Sequence, residues 1–328
     1  MILSAGIGAL LALAAIAGTP EPQGEPDASP LLTPQSSGAV TTIALGHGEF
    51  GQFTLPVSLG RAVRLGDGSA SETVPFLLDT GANVSALPHQ IAAQLTPAEH
   101  LAPDLTGHAL TSPFPTNRFF VEGFDYGLGP RTVEAAVLPE GIDSVLGATG
   151  VLGLNALKGE RVEIDFPNAQ LRIGGRGEIA RHLEIDPHLD LIRGFARIPG
   201  VRRPVNVLID SGASASVINP SLARLARGRT ARDSLVIYGV SGDWPDRANR
   251  RRYVRGLSLG DLCLEAFWIS IADLYAFETQ GWDREPAMII GADILQHARI
   301  EIDPVTQAVS IEGAGEFSCR RRRLGRWS

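Results

Sequence analysis

The sequence predicts a mainly β chain made of two tandem copies of one unit. Three observations predict it. An Asp-[Thr/Ser]-Gly triplet stands twice behind an apolar run, a Gly-centred apolar block follows each triplet, and the rest of each half is short apolar runs separated by Gly- and Pro-containing turns. The first triplet lies in PFLLDTGANVSAL, centred on Asp79; the second lies in NVLIDSGASASVI, centred on Asp210. Gly153 in GVLGLNAL matches Gly291 in MIIGADIL, and Glu163 matches Glu301, each pair 138 residues apart. The two Asp are 131 apart, so the copies differ by about seven residues between these anchors. A third block, VEGFDYGLG from Val121, aligns with VRGLSLGDL from Val254. Three matched blocks in one order mark a duplication whose halves fold alike.

Each element follows from its residues. In the first half, 53–59 and 74–78 read as strands around a Gly/Ser-rich turn region at 66–71. In the second half, 191–198 and 205–209 flank a Pro199-Gly200 turn. In both halves the later strand runs directly into the Asp, and Gly81 or Gly212 then permits a sharp turn that a side chain would obstruct. Short helices are expected at 88–95 and 220–226, the second with Asn219 as N-cap and Pro220 in the first turn. A further short helix follows Gly153 and Gly291, and a hairpin closes each half with turns at 167–168 and 304–306. The expected division is a signal peptide or anchor (1–18), a Pro-rich disordered linker (19–40), two lobes (41–178 and 179–317) and a basic tail (318–328).

A chain of 328 residues is long enough for two domains, and 44% hydrophobic content lets each half bury a core. The net charge is −7, and five of the positive charges sit in the tail (Arg320–Arg323 and Arg326). Without them the body carries roughly −12, which argues against nucleic acid as a partner. Residues 1–18, MILSAGIGALLALAAIAG, resemble a secretory signal peptide with a small-x-small site at Ala15-Ile16-Ala17. No Lys or Arg precedes this apolar core, which leaves an uncleaved membrane tether as the other reading. Export to a periplasmic or extracellular compartment is expected either way. Cys263 and Cys319 are the only cysteines, and the sequence leaves a bridge and two separate thiols equally open.

Two carboxyl groups held close cannot both ionise cheaply, so they share one proton and titrate as a pair. The ionised member can take a proton from a water, and the protonated member can polarise a carbonyl. That division of labour hydrolyses a peptide bond without metal or covalent intermediate, and it needs two Asp loops rather than one. Other chemistries lack their residues. His182 and His188 with Glu184 and Asp186 have the look of solvated connector charge rather than a zinc site. No CxxC, no G-x-S-x-G elbow and no phosphate-binding loop occurs. No cofactor and no metal are expected.

The φφDTGA and φφDSGA runs (φ apolar), with the later φφG-x-[Asn/Asp]-x-Leu runs at Gly153 and Gly291, resemble aspartic peptidases of the retropepsin and pepsin superfamily over about residues 45–315. The chain looks like a bacterial exported member carrying two retropepsin-like copies. The resemblance implies a bilobal fold of two β-barrel lobes with the site between them. It implies Asp79 and Asp210 as the catalytic pair of an aspartic endopeptidase, with the split titration that aspartic proteases show as a class. It further implies that Thr80 and Ser211 hydrogen-bond across to the opposite loop, while Gly81 and Gly212 bring backbone N–H groups against the acids. The stretch Tyr238-Gly239-Val240-Ser241-Gly242 resembles a flap, with Tyr238 and Gly239 as substrate-binding candidates; a plain strand tyrosine stays open. The equivalent first-half stretch, 106–109, matches less well. The expected partner is a polypeptide in extended conformation, and the expected assembly a monomer whose lobes form an intramolecular pseudo-dimer. A non-catalytic peptide-binding or scaffold protein on the same fold is the alternative function.

Overall fold

A computed structural model describes residues 40–48, 50–140, 142, 146–237 and 246–319, with backbone only at 13–17, 234 and 246–249. Residues 19–39 of the expected linker (19–40), Tyr238, Gly239 and the tail from 320 onward lie outside the described residues, as do 1–12 and 18 of the expected leader. The protein is mainly β, and its helices are short.

Alternating apolar residues make Phe53–Arg64 and Ala70–Leu78 an antiparallel pair with one buried face. Asp67 shapes the turn between them by accepting from the Ser69 amide (2.9 Å) and hydroxyl (2.6 Å). Gly150–Leu152 inserts between Ala70–Leu78, to which it runs parallel, and Ser85–Pro88, to which it runs antiparallel. Arg131–Leu138 then pairs in parallel with Ser85–Pro88, and Arg118–Asp125 pairs antiparallel with Arg131–Leu138. Arg118–Asp125 returns to the first strand through Ser58↔Asp125 and Leu59↔Phe124. These six strands therefore close into a barrel, which leaves no edge within the ring. Phe76 and Phe124 meet edge to face inside it, at 5.4 Å between centroids.

The second half repeats the pairing order. Ile192–Ala196 pairs antiparallel with Val205–Ile209, which runs parallel to Ala287–Ile290. Ala287–Ile290 runs antiparallel to Val217–Ile218, which runs parallel to Phe267–Ile271, and Asp246–Val254 follows antiparallel. Strand for strand, the neighbours and senses match those of the first half. Closure differs: Ile192–Ala196 pairs outward with Leu183–Ile185, and Thr230–Ile237 extends the far side.

One 13-stranded sheet crosses the expected boundary between the halves. Its junction pairs Val162–Asp165 with Ala298–Ile302, setting Glu163 opposite Glu301. Like charges directly opposite would destabilise the pair. Arg161 donates to Glu301 at 2.8 and 2.6 Å, and Arg299, its counterpart 138 residues on, lies 3.6 Å from Glu163. The strand Thr41–Ala44 joins the same sheet beside Gln170–Ile173. The backbone of Leu13–Ala17, inside the expected leader, forms a strand antiparallel to Leu105–Ala109.

Cys263 and Cys319 form a disulfide, with Cα atoms 5.1 Å apart. The folded region thus reaches two residues past the expected end of the second lobe at 317. The helix expected after Asn219 spans Pro220–Leu225, and the Asn219 side chain accepts from the Leu222 amide at 2.8 Å.

Candidate functional site

Each Asp leaves the end of a buried strand. Phe76, Leu77 and Leu78 precede Asp79, and Val207, Leu208 and Ile209 precede Asp210; all six are at most 1% exposed. Burial on both faces fixes where each strand ends, and therefore where each acid begins. The Asp79 amide donates to Leu152 O and the Asp210 amide to Ile290 O, both at 3.0 Å. The chain then reverses: Ala82 N donates to Asp79 O (3.3 Å) and Ala213 N to Asp210 O (3.2 Å). Each reversal is completed from below by the later Gly block. Leu154 N donates to Ala82 O at 2.8 Å, and Ala292 N to Ala213 O at 2.7 Å.

The two loops meet tip to tip. Thr80 Oγ1 donates to Ile209 O (3.0 Å), and Ser211 Oγ donates to Leu78 O (2.7 Å). In return, the Ser211 amide donates to Thr80 Oγ1 and the Thr80 amide to Ser211 Oγ, both at 3.0 Å. All four groups are buried, so this exchange satisfies donors and acceptors that would otherwise be costly. Gly81 lies against the opposite acid: a Cβ there would fall 2.5 Å from Asp210 Cγ, and one on Gly212 would fall 2.4 Å from Asp79 Cγ. Neither glycine has a positive φ. The sharp turn expected from sequence is present, and what a side chain there would obstruct is the approach of each loop to the facing carboxyl group.

Asp79 and Asp210 are 2% and 0% exposed. The Gly81 amide donates to Asp79 Oδ1 (2.8 Å), and the Ala213 amide donates to Asp210 Oδ1 (2.9 Å). Burial, and then the charge of Asp79 beside it, push the Asp210 carboxyl well above its ordinary range. A pair so placed holds one proton more readily than none.

A second tier of polar groups supports the loops. Ser85 Oγ accepts from the Gly153 amide (3.1 Å) and donates to Asn155 Oδ1 (2.9 Å). Ser216 Oγ accepts from the Gly291 amide (2.9 Å) and donates to Asp293 Oδ1 (2.6 Å). A Cβ on Gly153 or Gly291 would come within 2.7 Å of the loop backbone, at Val84 and Ala213 respectively. Gln52, fully buried, reaches from the first half to donate to Gly212 O at 3.3 Å.

Six of the eight residues singled out from sequence, Asp79, Thr80, Gly81, Asp210, Ser211 and Gly212, converge here. Tyr238 and Gly239 lie outside the described residues. Sequence reading missed Ser85 and Ser216, although their 131-residue spacing repeats that of the two Asp. It had no signal for Gln52. The first-half stretch 106–109, the weaker match to a flap, lies in a hairpin of Leu105–Ala109 and Pro113–Thr116. The tip of this hairpin is held by the other half: Leu110 is buried among second-half residues including Val217, Ile237 and Phe277, and Ala276 N donates to Leu110 O at 3.0 Å. His108 Nδ1 lies 2.8 Å from the Tyr275 hydroxyl, with the two rings stacked. Burial lowers the His108 pKa.

Among the described residues, no group of three or more His, Cys, Asp or Glu is arranged to hold a metal ion. Comparison with protein-family models and with curated proteins found no match to this chain.

Proposed function

We propose that the chain is an aspartic endopeptidase of the retropepsin and pepsin superfamily, with two lobes (41–178 and 179–317) joined by the shared sheet. The observation that carries this reading is the reciprocal seating of the two Asp loops. Each loop hydroxyl binds the opposite loop, and each loop glycine abuts the opposite acid. A turn of merely structural use has no need for this mutual exchange of partners, or for an acid pushed toward its protonated form.

In the proposed reaction a water lies between the carboxyl groups. The ionised carboxylate takes a proton as the water oxygen attacks the peptide carbonyl carbon, and the protonated carboxyl gives its proton to the carbonyl oxygen. The tetrahedral diol then collapses: the protonated carboxyl gives its proton to the leaving nitrogen, the C–N bond breaks, and one diol hydroxyl passes its proton to the other carboxylate, so the products are a carboxylic acid, an amine and a pair again holding one proton. Thr80, Ser211 and the two glycines hold the acids within the small tolerance this requires.

Asp79 and Asp210 are 2% and 0% exposed, so the site has to open before an extended peptide reaches them. The first-half hairpin is tied to the second half through Leu110, His108 and Ala276. Thr230–Ile237 with Asp246–Val254 packs Leu235 and Ile237 into the same buried cluster as Leu110. Tyr238 and Gly239, next in sequence after Ile237, remain the proposed substrate-binding residues. The test is incubation with a mixed peptide library from acid to neutral pH, with and without a statine-containing inhibitor. Inhibitor-sensitive cleavage is expected. Peptides that bind yet stay intact throughout would favour the non-catalytic scaffold.

A further inference from the structure

The chain is acidic overall, yet one stretch is strongly basic. Residues 193–255 hold thirteen Arg against four Asp, with no Glu and no Lys. Four of these arginines, Arg197, Arg202, Arg203 and Arg255, line an open groove of about 1540 Å³ at one end of the second half. They arrive from separate segments. Arg197 follows the strand Ile192–Ala196, Arg202 and Arg203 lie in the turn before Val205–Ile209, and Arg255 follows Asp246–Val254. Arg197 and Ser258 exchange backbone hydrogen bonds (both 2.9 Å), which fastens two of these segments together.

All four side chains are exposed. Arg203 lies 3.5 Å from Glu285 across two well-solvated side chains, a weak pairing. Among the described residues, Arg197, Arg202 and Arg255 enter no ion pair. Phe195 stands on the same rim, 64% exposed. Cys319, bridged to Cys263, also lines the groove, and the sequence continues directly into Arg320–Arg323. The strand Val205–Ile209 separates this end from Asp210 by about 17 Å, the length of five extended residues. The groove is therefore separate from the paired acids.

We propose that this end of the molecule is a docking surface for an anionic phospholipid bilayer. Guanidinium groups match phosphate in a two-point geometry, and they sit here on turns and strand ends that a flat surface can reach. An exposed phenylalanine beside them suits the boundary between headgroups and acyl chains. An acidic peptide would use the charges but leave Phe195 without a role. The proposal does not depend on peptidase activity.

The test is co-sedimentation of the full chain with vesicles of phosphatidylcholine alone, and with about 30% phosphatidylglycerol added. The triple variant Arg197→Glu/Arg202→Glu/Arg203→Glu is run beside the wild type, with circular dichroism as the folding control. Wild type should bind the anionic vesicles more tightly than the neutral ones, and the difference should shrink as salt rises. The variant should lose at least about a hundredfold of the anionic preference, taking roughly fivefold per arginine near a charged surface. Phe195→Ala should weaken vesicle binding and leave binding to a polyglutamate peptide unchanged. Equal binding to both vesicles, an unaltered triple variant, or capture of polyglutamate without vesicle binding would each overturn the proposal.

Discussion

At Gly81 and Gly212 the missing Cβ matters because the facing carboxyl group fills the space it would take. The neighbouring atoms belong to a buried acid held by its own loop, so an added methyl has little room to be accommodated. Either Gly→Ala change should lower stability by about 1–3 kcal/mol through overpacking. Both the melting temperature and peptide turnover should fall; an alanine variant that keeps both would show that the loops are farther apart than described. The pH dependence belongs to this scale too. Unfolded, Asp210 ionises near 3.8; folded, burial and Asp79 hold it protonated to higher pH. Its folded pKa is raised, so its contribution to stability is full below about pH 3.8 and is lost as pH rises through the folded value. Asp210→Asn should therefore flatten the decline in melting temperature on the upward pH scan. An unchanged slope would mean that Asp210 is not the group responsible.

Among the elements, the hairpin of Leu105–Ala109 and Pro113–Thr116 belongs to the first repeat, but its tip belongs to the core of the second. Leu110 is fully buried there, so Leu110→Ala should cost about 2–5 kcal/mol, as large-to-small core changes do. The loss should appear locally as faster hydrogen exchange across 105–116, because the hairpin would keep its own ladder and lose its anchor. Uniform loss of protection over the whole chain would place the anchor elsewhere. This hairpin was poorly legible in sequence. Its stretch 106–109 has one glycine and no tyrosine, unlike 238–242 with two glycines behind Tyr238, and the anchor depends on a partner 167 residues away, Tyr275 to His108. The strands leading into Asp79 and Asp210 were legible because an apolar run, an acid and a glycine are local signals.

For the whole molecule, the repeat read from matched blocks appears as a matched order of strand neighbours, and the paired Asp loops lie at its centre. The closure of the two halves was not legible. Residues 53–64 are long enough to pair at both ends, whereas Ile192–Ala196 is short and pairs outward into the sheet shared by both halves. Nothing local in either strand announces that difference. The Arg161–Glu301 and Arg299–Glu163 contacts were equally hidden, since the sequence shows charges 138 residues apart without showing the strand register that crosses them. The cysteine pairing needed a distance that sequence does not contain. The bridge ties the chain end to the second half, and Cys319→Ser should lower stability by about 2–4 kcal/mol. Thermal melts with and without reductant check this: the wild type should respond to reductant and the serine variant should not.

The central claim is that two buried acids act as one unit on a shared proton. Peptide hydrolysis by the wild type, Asp79→Asn and Asp210→Asn, each confirmed as folded by circular dichroism, tests it most directly. Each single change should reduce the rate by at least about a thousandfold, since the remaining acid cannot serve as base and acid at once. Either variant retaining more than about a tenth of the wild-type rate would contradict the account.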